Sequence, residues 1–147
     1  MIGSVLVVCV GNICRSPMGE RLLARAVPGL TVGSAGLAAV VGSGAEPTSQ
    51  EAADEIGLSL DGHIARQLTA EIGASYDLIL VMEPGHRAEI TRRFPQLSGR
   101  TMAFDHWVGG KGIADPFRKP PEAHRNARDA IVLAADAWAR RLGGKTG

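Results

Sequence analysis

An apolar strand, a glycine-containing loop and a helix follow one another at the start of the chain, and this order constrains the fold most. The run from Val5 to Val8 holds only β-branched residues and leucine, which is typical of a strand buried on both faces. A loop with Gly11 follows, and Pro17 stands near the predicted first helical position, where its missing N–H costs little. Such a junction aims backbone N–H groups and a helix N-terminus at one point. The sequence therefore predicts an anion-binding loop here, the Cys9 loop (residues 9–16).

Strands and helices alternate along the rest of the chain. Apolar runs predict further strands over residues 31–35, 77–82 and 100–104. Periodicity and caps predict helices over residues 18–27, 48–57, 69–74, 84–94 and from Pro120 or Pro121 to Leu142. For the second helix, Thr48 and Glu51 match a capping box. The alternation predicts an α/β fold, a three-layer sandwich in which a four-stranded parallel sheet carries helices on both faces.

Length and charge exclude several classes of protein. We expect the 147 residues to form one domain, residues 1–147, with a disordered tail over residues 143–147. The net charge is +1 and no apolar stretch reaches membrane-spanning length, so neither nucleic acid binding nor membrane insertion is indicated. Two cysteines without a preceding signal peptide indicate a reduced, cytoplasmic protein.

The side chains of the Cys9 loop turn an anion site into a reactive one. A thiol at a helix N-terminus beside an arginine is largely ionised at neutral pH, and the thiolate is the nucleophilic form. The planar fork of Arg15 can hold two oxygens of one phosphate, and the hydroxyl of Ser16 can support the sulfur. Gly11 and Asn12 tolerate the left-handed backbone of a tight anion nest.

A structural interpretation of Cys9 competes with the chemical one. A cysteine at the end of a buried strand is often only a small hydrophobic residue, and Cys-x5-Arg arises by chance. The loop, however, follows the first strand at its carboxyl end, which is where open α/β sheets bind ligands. This position favours the chemical interpretation.

A phosphate ester also needs a general acid to protonate its leaving group, and Asp115 is the candidate. Asp115-Pro116-Phe117 follows the last predicted strand and so emerges at the same edge of the sheet as Cys9. Asp-Pro is equally common as a plain turn before a helix. Spacing alone leaves both interpretations open.

Together, residues 8–17 (Val-Cys-Val-Gly-Asn-Ile-Cys-Arg-Ser-Pro) and Asp115-Pro116-Phe117 resemble the low-molecular-weight protein tyrosine phosphatases. The resemblance is nearest to the bacterial branch encoded with capsule and exopolysaccharide machinery. It covers nearly the whole chain, the combination of the two motifs is highly specific, and it implies the Rossmann-like fold of that family. Supporting segments lie at residues 34–37, 62–66, 76–80 and 104–107.

The resemblance implies a role for each matching residue. Cys9 is expected to form a phosphocysteine, Arg15 to clamp the phosphate, and Asp115 to act first as acid and then as base. The residues expected to bind substrate or phosphate are Val10, Gly11, Asn12, Ile13, Cys14, Ser16, Val40 and Phe117. A hydrogen-bond network that supports the loop is expected from Asn12, Ser16, Ser34 and His63. No metal and no other cofactor is implied.

The resemblance further implies a phosphotyrosine protein as substrate, namely a bacterial tyrosine autokinase in polysaccharide export. Two departures bear on substrate preference. Phe117 replaces the tyrosine usual after Asp-Pro, and Val40 stands where the eukaryotic branch has a bulky aromatic residue. Gly19 should weaken the first helix by up to ~1 kcal/mol relative to alanine.

Several residues keep two interpretations. Cys14 fills space behind the loop or, as the resemblance suggests, forms a reversible disulfide with Cys9 that prevents overoxidation. Trp107 lines the cleft or has a packing role, in the core or in a lid. The remaining histidines lack metal-ligand spacing and are interpreted as surface or packing residues: His86, His106 and His124.

Two other functions compete with the phosphatase. An arsenate reductase of the same fold needs a cysteine relay, which two cysteines leave incomplete. A noncatalytic phosphoprotein-binding or redox-sensing module needs neither nucleophile nor acid, so the combination of Cys9, Arg15 and Asp115 argues against it.

Overall fold

Four parallel strands form the centre of the molecule, and the predicted α/β fold is confirmed. The computed structural model describes residues 1–143, and residues 144–147, in the tail expected to be disordered, lie outside the described residues. The strands are β1 Ser4–Cys9, β2 Thr31–Gly36, β3 Leu78–Val81 and β4 Thr101–Ala103. Their order in the sheet is β2-β1-β3-β4.

Helices cover both faces of this sheet. Alternate residues of β1 point to opposite sides, so Val5 and Val7 join one apolar cluster and Leu6 and Val8 join another. The helices are α1 Arg15–Ala26, α2 Pro47–Asp54, α3 Ala70–Ala74, α4 Pro84–Arg93 and α5 Pro121–Arg141, with 3-10 turns at Pro95–Arg100 and His106–Val108. The first cluster includes residues of α1, α2 and α5, and the second includes a residue of α4.

Parallel strand direction gathers the loops of interest at one edge. Cys9, the last residue of β1, is paired in register with Gly36, the last residue of β2. Val8 is paired with Val81 at the end of β3. The segments that follow these three strands therefore leave the sheet side by side, and the Cys9 loop is one of them.

Two predicted helix starts are wrong. Helix α1 begins at Arg15, so Pro17 lies inside the first turn, where backbone N–H groups lack helical acceptors in any case. The capping box of α2 is also wrong, because Glu46 is the N-cap. Its carboxylate accepts hydrogen bonds from the backbone N–H of Thr48 (3.1 Å) and Ser49 (3.0 Å).

None of the helices in residues 1–143 combines the length and the hydropathy that crossing a bilayer requires.

The close approach of β2 to the Cys9 loop makes Gly36 hard to replace. A Cβ atom there would overlap the carbonyl oxygen of Val10. We expect Gly36→Ala to lower the free energy of unfolding by about 1–3 kcal/mol, because the backbone must move. Gly85→Ala in α4 is the matched control, since a Cβ there would meet no heavy atom of residues 1–143 within 4 Å apart from its chain neighbours and its own helix backbone. The control should gain up to about 1 kcal/mol from helix propensity.

Urea denaturation of both variants measures the difference. Equal stability of Gly36→Ala and the parent would contradict the tight approach between β2 and the loop.

Candidate functional site

Outward hydrogen bonds hold the backbone of the Cys9 loop. The carbonyl oxygens of Cys9, Val10 and Gly11 accept hydrogen bonds of 2.9, 3.0 and 3.0 Å from the backbone N–H groups of Leu37, Ala38 and Val40. In a trans peptide the carbonyl and the N–H point in opposite directions. Carbonyls that face the segment after β2 therefore turn the N–H groups of the loop inward, as an anion nest requires.

Helix α1 adds its N-terminus to the same point. Its N-cap is Cys14, and no side chain in the described part of the chain caps it. The first-turn N–H groups, together with the positive end of the helix dipole, favour a bound anion.

Buried side chains support the loop from behind. Asn12 has a φ of 58°, which confirms the left-handed backbone expected for it, whereas Gly11 does not adopt one. The Asn12 amide donates to the hydroxyl of Ser16 at 2.8 Å, and His63 Nε2 donates to the Asn12 carbonyl at 2.6 Å. Ser16 Oγ lies 2.9 Å from Cys9 Sγ. Three of the four expected supporting residues thus form one connected network around the sulfur.

Within residues 1–143, Ser34 makes no direct hydrogen bond to these three residues and is connected to them through Arg66. Its hydroxyl donates to Glu20 Oε1 at 2.6 Å, and its carbonyl accepts from Arg66 Nε at 2.9 Å. Arg66, which sequence reasoning missed, supplies the link, because its backbone N–H donates to Asn12 Oδ1 at 2.9 Å. Its only sequence signal was its place at the end of the supporting segment 62–66.

The guanidinium of Arg15 is held at one nitrogen. Arg15 is 2% exposed, and its Nη1 donates to Glu83 Oε2 and to the carbonyl of Ile113, both at 2.6 Å. Its Nη2 lies 3.8 Å from Asp115 Oδ2, and its Nε is buried without a partner among residues 1–143. The Nε and Nη2 edge can therefore bind two oxygens of one oxyanion.

Glu83 was also missed in the sequence, although it follows β3 at the sheet edge where ligands bind. It lies 3.3 Å from Nε2 of His86. Burial, together with the charge of Arg15, lowers the pKa of His86 below its usual range. Because a neutral His86 forms no ion pair with Glu83, the charge of the Glu83 carboxylate is compensated by Arg15.

One cavity of about 160 Å³ unites the expected chemical groups. Asp115 reaches it from the loop before α5, and its side chain is 45% exposed. Asn12 and Ser16 lie behind the loop and are fully buried, so they support the loop and do not line the cavity. The lining residues are Cys9, Val10, Gly11, Ile13, Cys14, Arg15, Ala38, Val40, Asp115 and Phe117.

Trp107 lies elsewhere. Its ring packs against α5, with the guanidinium carbon of Arg141 3.7 Å from the ring centroid and the ring of Trp138 at 5.6 Å. Of the two interpretations, packing is therefore the correct one.

Cys14 is buried beside the other end of the loop. Burial raises the pKa of the Cys14 thiol to about 12, although a hydrogen bond with Ser49 acts in the opposite direction. Both cysteines are free thiols.

Comparison with known proteins decides the family. Residues 4–146 match the model of the low molecular weight phosphotyrosine protein phosphatases. The chain belongs to this family. The resemblance recognised in the sequence and the enzyme class that it implies, a protein-tyrosine phosphatase, are thereby confirmed.

Relatives match this phosphatase over nearly its whole length. The protein named low molecular weight protein-tyrosine-phosphatase Etp, from Escherichia coli K12, is 47% identical over 139 residues, which are 95% of this chain and 94% of Etp. The tyrosine phosphatase Wzb from Escherichia coli K30, solved with sulphate, has a TM-score of 0.96 and 43% identity, and covers 97% of this chain and 100% of its own. Vibrio vulnificus Wzb, solved with benzylphosphonate, has a TM-score of 0.94 and 45% identity, with coverage of 97% and 100%.

The contact between Glu83 and Arg15 gives a first kinetic prediction. We expect Glu83→Gln to lower kcat/KM about tenfold or more, because a hydrogen bond to a charged group contributes ~1.5–3 kcal/mol and positions the guanidinium. Glu89→Gln, within α4, removes a carboxylate that pairs with Arg92 at the surface and should leave kcat/KM unchanged. Initial rates with p-nitrophenyl phosphate measure both variants. An unchanged Glu83→Gln would rule out positioning through this contact.

The environment of Cys14 predicts its reactivity. In a Cys9→Ser variant, we expect iodoacetamide at mildly alkaline pH to leave Cys14 unmodified, because the raised pKa keeps its thiol protonated. Modification should appear only at strongly alkaline pH or when the protein is unfolded in urea. Peptide mass spectrometry follows the labelling. Equal labelling rates in the folded and unfolded protein would contradict the prediction.

Proposed function

We propose that this phosphatase hydrolyses phosphotyrosine in proteins through a phosphocysteine formed on Cys9. The observation that carries the proposal is the convergence of Cys9, Arg15 and Asp115 on one cavity from three separate segments. The proposed domain is the whole chain, residues 1–147.

The first step transfers the phosphoryl group to sulfur. The inward N–H groups of the Cys9 loop and the Nε and Nη2 edge of Arg15 hold the phosphate oxygens while the Cys9 thiolate attacks phosphorus. Asp115 gives its proton to the tyrosyl oxygen as the P–O bond breaks.

The second step returns the enzyme to its starting state. The Asp115 carboxylate removes a proton from water, and the resulting oxygen nucleophile displaces the Cys9 sulfur from phosphorus. The hydroxyl of Ser16, 2.9 Å from Sγ, stabilises the departing thiolate.

The rim of the cavity supports an aryl phosphate as substrate. Phe117 and Val40 both line the cavity while remaining 41% and 45% exposed, so they can contact the faces of an entering aromatic ring. The benzylphosphonate bound to Vibrio vulnificus Wzb has the shape of a phosphotyrosine side chain and supports this preference.

The proposed partner is a bacterial tyrosine autokinase that controls capsule or exopolysaccharide production. The family branch of the named relatives supports this partner. We also propose a cytoplasmic location, which the two free thiols support.

Two variants and two peptides test the reaction. We expect Cys9→Ser to abolish turnover, and Asp115→Asn to slow it by about 10²–10⁴ while vanadate still binds. The wild type should hydrolyse a phosphotyrosine peptide much faster than a phosphoserine peptide of the same sequence. Phosphate release measures the rates. Full turnover by Cys9→Ser would overturn the mechanism, and equal rates on both peptides would overturn the aryl preference.

Capture of substrate tests the partner separately. Cys9→Ser, which keeps the phosphate-binding groups, should retain tyrosine-phosphorylated kinase segments from a lysate, and mass spectrometry identifies them. Recovery of phosphopeptides without any kinase segment would contradict the proposed partner but leave the reaction intact.

A further inference from the structure

A largely buried polar cluster joins the end of the Cys9 loop to α2 and α5. We name Cys14, Glu46, Ser49 and His124 the Cys14 cluster. Cys14 is 4% exposed, His124 is 1% exposed and Ser49 is fully buried, whereas the side chain of Glu46 is 18% exposed. The sulfur of Cys14, a carboxylate oxygen of Glu46 and a ring nitrogen of His124 all lie within 4.8 Å of one another. A thiol, a carboxylate and an imidazole this close together are an unusual set at the edge of a hydrophobic interior.

Backbone contacts fix the carboxylate of Glu46 in this position. Its two oxygens accept the N–H groups of Thr48 and Ser49, and its own N–H donates to the carbonyl of Ile13 at 2.8 Å. His124 Nδ1 lies 3.6 Å from Glu46 Oε2 and 2.9 Å from the hydroxyl of Ser49. Three elements, α1, α2 and α5, thus present their polar groups to one point.

We propose that Cys14, Glu46 and His124 bind a zinc ion. Thiolate sulfur, imidazole nitrogen and carboxylate oxygen are the three ligand types of zinc sites in proteins. Two anionic ligands and one neutral ligand balance the charge of Zn²⁺. The hydroxyl of Ser49 or a water molecule completes the tetrahedron.

The spacing of the ligand atoms suits this ion. Zinc bonds of about 2.0–2.3 Å in tetrahedral geometry place ligand atoms about 3.3–3.8 Å apart. Glu46 Oε2 and His124 Nδ1 are already 3.6 Å apart, and the largest separation in the cluster, below 4.8 Å, needs a contraction of about 1 Å.

The proposed site has a route of entry for the ion, and the proton of the Cys14 thiol is released when the ion binds. Cys14 is among the residues that line the 160 Å³ cavity beside Cys9, so the proposed route of entry for the ion is through this cavity. Binding breaks the S–H bond of Cys14, forms an S–Zn bond and releases the proton to solvent, with no change of oxidation state. Burial opposes an isolated thiolate there, and the cation supplies the missing charge.

Zinc at this site should slow the phosphatase. Cys14 is the N-cap of α1, and the backbone N–H of Glu46 donates to the carbonyl of Ile13. If the ligand atoms move closer together around the ion, the backbone of the Cys9 loop, which carries Arg15, must therefore shift. A zinc-bound sulfur is also withdrawn from any disulfide with Cys9.

Metal titration of reduced Cys9→Ser protein tests the proposal, because this background removes the catalytic sulfur as a ligand. Calorimetry with Zn²⁺ should show one ion per chain with proton release. Co²⁺ should give a sulfur-to-metal charge-transfer band and the visible bands of a tetrahedral site. His124→Gln and Glu46→Gln should each weaken binding at least about tenfold. His106→Gln, an exposed imidazole outside the cluster, is the matched control and should bind as the background does.

These measurements distinguish zinc binding at the Cys14 cluster from binding elsewhere on the protein. Absence of binding to Cys9→Ser, or unchanged affinity in both His124→Gln and Glu46→Gln, would overturn the proposal. If a variant fails to fold, the Co²⁺ spectrum of the Cys9→Ser protein still decides, since a spectrum without a sulfur band places the ion elsewhere. With Cys9 intact, zinc should inhibit turnover of p-nitrophenyl phosphate, and His124→Gln should relieve that inhibition.

Discussion

The site depends on the backbone conformation of Asn12. A left-handed residue in a loop of inward N–H groups is strained, and it persists only where its surroundings hold it. Asn12 is held at three points: its carbonyl by His63, its Oδ1 by the N–H of Arg66 and its Nδ2 by Ser16. The last of these bonds also fixes the hydroxyl beside Cys9 Sγ. Loop shape and nucleophile environment therefore share one support.

Charge compensation sets the second constraint. A guanidinium that is 2% exposed needs acceptors, and before a phosphate arrives Arg15 has Glu83 and the carbonyl of Ile113 on the same nitrogen. This arrangement stabilises the buried charge without occupying the edge that faces the cavity. Substrate binding then adds contacts to Nε and Nη2 and leaves the existing ones in place.

Sequence patterns predict the strands and helices, because these depend mainly on residues that are near one another in the chain. The apolar runs predicted the sheet and the helices, whereas Asp115 was singled out by the family resemblance, and the structure brings it to one cavity with Cys9 and Arg15. Contacts between distant segments left no such signal: Arg66 reaches Asn12 across the fold, Glu83 reaches Arg15, and Ser34 bonds to Glu20. Gly19 shows the same limit, because a Cβ there would lie 3.0 Å from the ring of Phe104, a packing demand that helix propensity does not express.

The two cysteines of this loop have different neighbours, although both are buried. Cys9 ends a strand, and its sulfur lies 2.9 Å from the hydroxyl of Ser16. Cys14 lies five positions later, and its burial, together with the charge of the Glu46 carboxylate, favours the neutral thiol. A bound cation would favour the thiolate of Cys14 instead. The imidazole of His124 lies close enough to the Cys14 sulfur and to a Glu46 carboxylate oxygen to bind the same cation. Since these ligands come from the starts of three different helices, no spacing along the chain reveals them.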